Sequence, residues 1–262
     1  ATKVCGPTHW CPHIRGGCAR LDEANIRAAV EGSLKRLGVD CIDLYQTHWP
    51  DRSTNYFGKL GFEPDPNETM TPIEETIAAL DRLVEEGKIR WYGVSNETPW
   101  GLMRHLCAAE RFGWPKPVSI QNPYNLLNRT FEIGLAEVAV REQVPLLAYS
   151  PLAFGVLTGK YLGGRRPKGA RLTLFPHYTR YTNPQAEAAT RAYVEIAKNA
   201  GLLPAQMSIA YLLTKPFVAS VIIGATNEAQ LEENLAAAEL ALSDDVREAI
   251  EDVHRRIPNP AP

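Results

Sequence analysis

Short apolar segments alternate with helix-patterned segments along the sequence, and this alternation limits the possible folds more strongly than any other feature. Segment 22–38 has apolar residues every three or four positions, with Asp22 as a predicted N-cap and Gly38 as a predicted helix stop. Segment 41–47, CIDLYQT, follows directly and is typical of a short buried strand. A strand followed by a helix recurs six times, which predicts an α/β protein built on parallel strands.

The remaining predicted elements carry the same signals. Further strands are predicted at 1–4, 88–95, 118–122, 145–150 and 219–225. Helices are predicted after a capping box with proline at 71–74 (TPIE), after Thr98 and Pro99, at 131–143, after Asn183 and Pro184, at 205–213, and in two C-terminal segments, the second capped by Ser243. The strands are apolar on both faces, as parallel strands covered by helices must be.

An open doubly wound sheet and a (β/α)8 barrel both fit this order of elements. No G-x-G-x-x-G motif follows a predicted strand, which disfavours a doubly wound dinucleotide-binding sheet. Polar residues gather where the strands end: His48, Ser95, Asn96, Gln121, Asn122, Tyr149, Ser150, Gly224 and Thr226. In a barrel this rim is the active site, although a barrel has eight strands and the sequence predicts six.

The composition excludes several function classes. Hydrophobic residues make up 45% of the chain, charged residues 22%, and the formal net charge is −2 without a long basic run, so neither nucleic acid nor an anionic membrane is an expected partner. No stretch approaches the ~18 apolar residues of a membrane span. Five cysteines at irregular spacing predict reduced thiols and a cytoplasmic location.

Six motifs occur along nearly the whole chain in one order: TKV at 2–4, DLYQTHWPD at 43–51, GVSNE at 93–97, QNPYNLLNR at 121–129, AYSPLAFGVLTGKY at 148–161 and GATNEAQLEEN at 224–234. Together they resemble the aldo/keto reductase family, and in particular its Tas-type bacterial branch, which is related to potassium-channel β subunits. The resemblance implies a (β/α)8 barrel that reduces aldehydes or ketones to alcohols by hydride transfer from a nicotinamide cofactor.

The resemblance assigns catalytic roles to Lys3 and His48. In the family, a tyrosine donates the proton, a lysine lowers the pKa of that tyrosine, an aspartate holds the lysine, and a histidine orients the carbonyl. The tyrosine and the aspartate would precede residue 1. The expectation is therefore one domain over 1–262 that forms the C-terminal three-quarters of a barrel, lacks roughly the first two β/α units and is inactive by itself. The alternatives are a core histidine and a solvent-exposed terminal lysine.

The resemblance also implies cofactor contacts. Ser95, Asn96 and Gln121 match contacts to the nicotinamide carboxamide, and Tyr149 matches the aromatic ring that stacks on the nicotinamide. Ser150, Pro151, Leu152, Gly155, Lys160 and Arg171 match the region around the pyrophosphate, whereas Gly224, Thr226, Gln230, Glu233 and Asn234 match the adenosine end. Strand-end capping, core packing and solvated loop cations are the alternatives. NADP is the expected cofactor and NAD is possible, because many NADP-preferring members have arginine at the position of Gln230.

Other interpretations remain open at this stage. The chain could be a nucleotide-binding regulatory module without catalysis, as channel β subunits illustrate, or an inactive fragment with open strand edges. His9, Cys11, His13 and Cys18 are residue types that can bind zinc, but their spacing matches no standard site, so no metal is expected. Trp10, Trp49, Tyr56 and Phe57 could form the wall of an apolar substrate pocket, or they could equally anchor their loops. The expected partner is a small carbonyl compound, and no obligate protein partner is evident.

Overall fold

Two units of contacting residues make up the structure, a computed structural model that describes residues 1–8 and 10–262. Unit 1 comprises Ala1–Gln121 and Glu137–Pro145. Unit 2 comprises Asn122–Ala136 and Leu146–Pro262. The single domain predicted for 1–262 stays a prediction.

Unit 1 is a parallel sheet with helices between its strands. Its strands are β1 (Thr2–Val4), β2 (Ile42–Thr47), β3 (Ile89–Ser95) and β4 (Ile120–Gln121), and each pairs in parallel with the next. The helices that follow the first three strands are α1 (Glu23–Leu37), α2 (Ile73–Glu85) and α3 (Pro99–Phe112). The predicted α/β class with parallel strands is confirmed. The (β/α)8 barrel that lacks roughly its first two β/α units stays a prediction.

The two faces of this sheet differ in chemistry. Val4, Tyr45 and Tyr92 lie in an apolar core with residues of α1 and α2. Because side chains alternate along a strand, the neighbouring positions point to the opposite face. There, Lys3 pairs in register with Gln46, which pairs with Gly93. One face therefore supplies the core, whereas the other carries Lys3.

Two of the three helices α1, α2 and α3 begin at the predicted N-cap. Asp22 accepts a hydrogen bond from the backbone of Asn25, and Gly38 ends α1 in the left-handed conformation. Thr98 caps α3 in the same way, ahead of Pro99. The capping box predicted at 71–74 is wrong.

The N-cap of α2 is Pro72, which makes no side-chain cap. Thr71 instead donates its hydroxyl hydrogen bond to Asp51 at 2.6 Å. The Thr71 hydroxyl, which the local sequence assigns to the helix cap, is therefore bonded to the buried carboxylate of Asp51 in the preceding loop.

Unit 2 contains a strand pair and most of the remaining helices. The parallel strands are β5 (Leu146–Ala148) and β6 (Val218–Val221), and the helices are α5 (Arg171–Leu174), α6 (Pro184–Asn199), α7 (Pro204–Leu213), α8 (Glu228–Ala236) and α9 (Asp244–Arg256). Helix α4 (Leu135–Arg141) contains a boundary between the units. The predicted caps Asn183 and Ser243 are both confirmed.

Four predicted elements are shorter in the structure by three or more residues. The strands predicted at 145–150 and 219–225 are Leu146–Ala148 and Val218–Val221. The strand predicted at 118–122 is reduced to Ile120–Gln121, and the helix predicted at 131–143 is reduced to Leu135–Arg141. Gly134 has a φ of 89°, which ends a preceding 3₁₀ turn and delays the helix. The segment 151–175, which follows β5, contains two 3₁₀ turns and the short α5.

Candidate active site

His48 follows β2 directly and is held against the end of β1. Its backbone N–H donates to the carbonyl of Val4 at 2.7 Å. The ring is partly buried, and burial together with the nearby charge of Lys3 lowers the pKa of His48 to about 4. The imidazole is therefore neutral near pH 7 and carries one N–H donor and one acceptor nitrogen.

Lys3 lies in β1, one strand away from the end of β2. Its side chain is partly buried, and this burial lowers the pKa of the ammonium. Gln46 faces it across the strand pair, and both polar atoms of the Gln46 amide are buried without a hydrogen-bond partner. A partly desolvated cation beside unsatisfied polar atoms is typical of a binding surface rather than of a packed core.

The end of β3 supplies a second group of predicted residues. The Asn96 Nδ2 atom donates to the carbonyl of His48 at 2.8 Å and to the Ser95 Oγ atom at 3.2 Å. Ser95 Oγ donates in turn to the carbonyl of Gln121 at 2.7 Å. Unit 1 thus brings together the five predicted residues Lys3, His48, Ser95, Asn96 and Gln121.

Asn96 is held in an uncommon backbone conformation. Its φ is 53°, in the left-handed region, where asparagine is tolerated better than most residues but still at some energetic cost. Strained backbone persists only where its surroundings fix it, and such residues concentrate at functional sites. The hydrogen bonds to His48 and Ser95 supply part of that fixation.

Aromatic residues surround His48 on one side. The ring of Trp49 lies 4.6 Å from the imidazole, between centroids, and its indole N–H donates to the carbonyl of Pro7 at 3.1 Å. Trp10 lies 5.7 Å and Phe57 lies 5.6 Å from Trp49, again between ring centroids. Trp10 and Phe57 are both about half exposed, whereas Trp49 is buried. The substrate wall and the loop anchor both stay predictions for this group.

In unit 2, the predicted pyrophosphate residues lie in a strained turn after β5. Ser150 has a φ of 55°, and its carbonyl accepts hydrogen bonds from Asn125 and from the backbone of Ala153. Pro151 is buried, Leu152 is partly buried, and Phe154 and Gly155 are in the left-handed region. Preceding them, Tyr149 is partly buried, and this burial raises its pKa to about 12.

Lys160 and Arg171 are the cations predicted to face phosphates. The Lys160 Nζ atom lies 2.9 Å from the point where a Cβ on Gly155 would be, and the φ of 88° at Gly155 favours glycine there. Burial lowers the pKa of Lys160, while the charge of Glu233 opposes that effect. The Arg171 guanidinium stacks on the ring of Phe154 at 4.3 Å.

The predicted adenosine residues surround the start of α8. Thr226 donates to the Gln230 Oε1 atom from its backbone at 3.0 Å and from its hydroxyl at 3.1 Å. Asn234 is buried and donates to the carbonyl of Gly224 at 3.2 Å. Unit 2 therefore groups Gly224, Thr226, Gln230 and Asn234 in one loop and helix start, and Glu233 lies near Lys160.

Two further findings concern the other predicted features. Among residues 1–8 and 10–262, no three His, Cys, Asp or Glu side chains are grouped as metal ligands would be. Of the zinc-type residues considered from sequence, Cys11, His13 and Cys18 are described, and His9 lies outside the described residues. None of the described helices is long and apolar enough to cross a membrane.

Sequence reasoning missed residues that hold the loops of this site together. A Cβ on Gly6 would lie 2.8 Å from the carbonyl oxygens of Trp49 and Pro50, so glycine permits the loop after β1 to contact the loop after β2. Arg52 and Glu97 form a buried ion pair at 2.5 Å. Gly6 stands in a CGP segment that signals a turn, whereas nothing local signals a pair separated by 45 positions.

Comparison with known proteins agrees with the site. The aldo/keto reductase family model matches residues 1–255. The chain is 50% identical over 262 residues to "Protein tas" of Escherichia coli (strain K12), covering 100% of this chain and 76% of that protein.

Two further relatives carry reductase names. "Aldo-keto reductase" of Babesia bovis is 38% identical over 271 residues, covering 97% of this chain and 94% of that protein. "L-glyceraldehyde 3-phosphate reductase" of Escherichia coli (strain K12) is 34% identical over 233 residues, covering 86% and 60%. With the predicted motifs and the family match in agreement, the chain belongs to the aldo/keto reductase family.

Proposed function

We propose that this protein binds NADPH and reduces aldehydes or ketones to alcohols. The observation that carries the proposal is the pairing of Lys3 with a neutral His48 beside Ser95, Asn96 and Gln121, at the carboxyl ends of parallel strands. In α/β proteins, ligands bind at this end of the strands. Family membership supports the reaction class.

The chemistry requires groups that stabilise negative charge on the carbonyl oxygen. The nicotinamide cofactor supplies the hydride when it is bound. Neutral His48 carries an N–H that can donate to the oxygen, and the ammonium of Lys3 places positive charge in a partly desolvated site, where it acts more strongly than in water. We propose that these two residues polarise the carbonyl, and that the alkoxide formed by hydride transfer would take up its proton from solvent. Trp49 and its aromatic neighbours would cover one side of the carbonyl.

The residues of unit 1 fit a carboxamide. A carboxamide has both a hydrogen-bond donor and a hydrogen-bond acceptor. The side chains of Ser95 and Gln121 also have both, so they can match it. We propose that Asn96 orients this pair through its bond to Ser95. The unsatisfied amide of Gln46 on the same sheet face further indicates a surface built for polar contact.

The residues of unit 2 fit phosphates and a nucleoside. The ammonium of Lys160 is partly desolvated and lies beside Gly155. A cation in such a site attracts a phosphate more strongly than a cation in bulk water does. We propose that Tyr149 stacks on the nicotinamide, that Ser150, Pro151, Leu152, Gly155, Lys160 and Arg171 contact the pyrophosphate, and that Gly224, Thr226, Gln230, Glu233 and Asn234 contact the adenosine end. NADP is proposed over NAD on the likeness to Tas-type proteins.

Two further proposals concern substrate and location. A relative is named for reducing L-glyceraldehyde 3-phosphate, and this supports an aldehyde as one class of substrate. All five cysteines are free thiols, which supports a reducing compartment, and we propose the cytoplasm.

The proposal is tested by titrating the 262-residue chain with NADPH and following cofactor fluorescence, then adding nitrobenzaldehyde and following oxidation of the cofactor. We expect saturable binding with only slow aldehyde-dependent oxidation, because none of the residues named above is a proton donor like the tyrosine of the family. Lys3→Met should slow oxidation by about 100-fold or more and leave NADPH binding within about threefold, since Lys3 acts on the carbonyl. Lys35→Met, on the exposed side of α1, is the matched control. Absence of saturable binding would refute the proposal.

A further inference from the structure

The loops that follow β2 and β3 are joined at two separate points. At the first point, Asn96 donates to the carbonyl of His48. At the second point, the guanidinium of Arg52 forms two parallel hydrogen bonds with the carboxylate of Glu97, at 2.9 and 2.5 Å. Arg52 is four positions after His48 in the first loop, and Glu97 is the residue directly after Asn96 in the second.

The ion pair is buried and is surrounded by specific contacts. The Arg52 side chain is 9% exposed and the Glu97 side chain is 4% exposed. Arg52 also donates to the Thr98 hydroxyl at 3.0 Å and lies over the ring of Trp100 at 4.9 Å. The carboxylate of Glu97 accepts a further bond from the backbone of Thr98 at 2.7 Å.

A glycine in α3 leaves space for this pair. A Cβ on Gly101 would lie 2.2 Å from the Glu97 carboxylate and 2.4 Å from the Arg52 guanidinium. Helix interiors disfavour glycine by roughly 1 kcal/mol relative to alanine. A glycine at this position is therefore explained by the ion pair rather than by the helix.

A buried ion pair is a poor way to gain stability, because desolvation of the two charges offsets most of their attraction. Its benefit is geometric, since a bidentate arginine–carboxylate pair fixes distance and orientation together. Here that geometry anchors the residue next to Asn96, whose left-handed backbone needs support. The pair thereby fixes the positions of Asn96 and of the His48 carbonyl to which Asn96 is bonded.

We infer that Arg52 and Glu97 are positioning residues for the nicotinamide end of the cofactor, acting through Asn96 and His48, with Gly101 as the space that admits them. This inference rests on the proposed function, because the nicotinamide that the two loops would position is itself part of that proposal. A purely structural role would affect the stability of unit 1 without distinguishing one end of the cofactor from the other.

Two ligands separate these roles in a calorimetric titration: NADPH and 2′-phospho-ADP-ribose, which lacks the nicotinamide. Glu97→Gln removes the charge at nearly constant size, and Gly101→Ala keeps both charged groups but displaces them. We expect each variant to weaken NADPH binding about tenfold or more, as losses of supporting contacts typically do. Affinity for 2′-phospho-ADP-ribose should stay within about twofold.

Matched controls exist in the same unit. Asp43→Asn breaks an exposed ion pair with Arg90, which joins the same two strands at their opposite ends. Gly32→Ala adds a Cβ to a helix glycine of α1, where the added atom meets only the end of the Arg36 side chain. Both controls should leave the affinities for the two ligands within about twofold of the unsubstituted chain.

Each result has a stated meaning. Unchanged NADPH affinity in Glu97→Gln and Gly101→Ala would overturn the inference, and so would an equal loss of affinity for both ligands. If the unsubstituted chain binds neither ligand, the proposed function itself fails. If Glu97→Gln does not fold, Gly101→Ala and Arg52→Lys carry the test, the latter because it keeps the charge but loses the second parallel hydrogen bond.

Discussion

At the residue scale, the candidate site depends on how Lys3 and His48 affect each other. Burial and the charge of Lys3 both act to keep the imidazole neutral, and burial also lowers the pKa of Lys3. A neutral imidazole can donate a hydrogen bond to a carbonyl without adding a second positive charge to the site. Burial, the larger effect, and the charge of Lys3 therefore both favour the neutral form of His48.

Replacing Lys3 by methionine should raise the pKa of His48 while leaving it below 6.5, because the repulsive charge is removed and burial remains. The ring proton shifts of His48, followed by NMR during a pH titration and assigned with His48→Gln, measure this value. Lys35→Met, which changes a distant exposed lysine, should leave the titration unchanged. An unaltered His48 titration in Lys3→Met would show that the two side chains do not interact.

At the element scale, the buried carboxylate of Asp51 gathers several contacts of the loop after β2. Asp51 accepts hydrogen bonds from Arg20 at 2.9 Å, from the backbone of Leu21 at 2.8 Å and from Thr71 at 2.6 Å. Its side chain is 3% exposed. The loop from Trp49 to Thr71 is therefore tied to the starts of α1 and α2.

Asp51→Ala should lower the free energy of unfolding by about 3 kcal/mol, because three donors lose their buried acceptor. Urea unfolding followed by circular dichroism measures this change. The control Asp43→Ala removes one partner of an exposed ion pair and should change the free energy by less than about 1 kcal/mol. Equal effects of the two substitutions would contradict the assigned role of Asp51.

Local patterns predicted the element order and many helix ends, because caps act within one helical turn. Asp22, Thr98, Asn183 and Ser243 all cap as predicted. The same local reasoning failed at Thr71, where a carboxylate twenty positions earlier takes the hydroxyl.

The candidate site could be predicted only in part. The residues at strand ends were found because parallel strands place their carboxyl ends together, and their roles came from the family resemblance. The pair of Arg52 and Glu97, and the space at Gly101, could not be found. Each depends on a contact between separate loops, which a single sequence does not reveal.

At the scale of the whole molecule, buried histidines should make stability depend on pH. Burial lowers the pKa of His105 to about 4, and the pKa of His48 is about 4 for the reasons given above. The ordinary value is 6.5, so the unfolded chain binds protons at these residues before the folded chain does. Stability is therefore fully present above pH 6.5 and declines as the pH falls toward 4.

The free energy of unfolding, measured by urea titration at a series of pH values, should decrease between pH 6.5 and 4. His105→Leu should show a smaller decrease over this window, because it removes one buried group whose Nδ1 atom has no partner. His13→Leu, which changes an exposed histidine, should retain the full decrease. An identical pH dependence in His105→Leu and the unsubstituted chain would contradict this explanation.

The chemistry is divided between the units in a consistent way. Unit 1 carries the groups proposed for the carbonyl and the carboxamide, from Lys3 to Gln121. Unit 2 carries the groups proposed for phosphates and adenosine, with Lys160 and the start of α8 as the main features. Tyr149 is the exception, since it belongs to unit 2 and is proposed to stack on the nicotinamide.

The central claim is that the nicotinamide is bound beside His48 and Asn96. Intermolecular nuclear Overhauser effects between bound NADPH and the isotopically labelled chain test it most directly. The account predicts contacts from the nicotinamide ring protons to the imidazole of His48 and to the side chain of Asn96. Contacts from the nicotinamide to other residues alone, with none to His48 or Asn96, would contradict it.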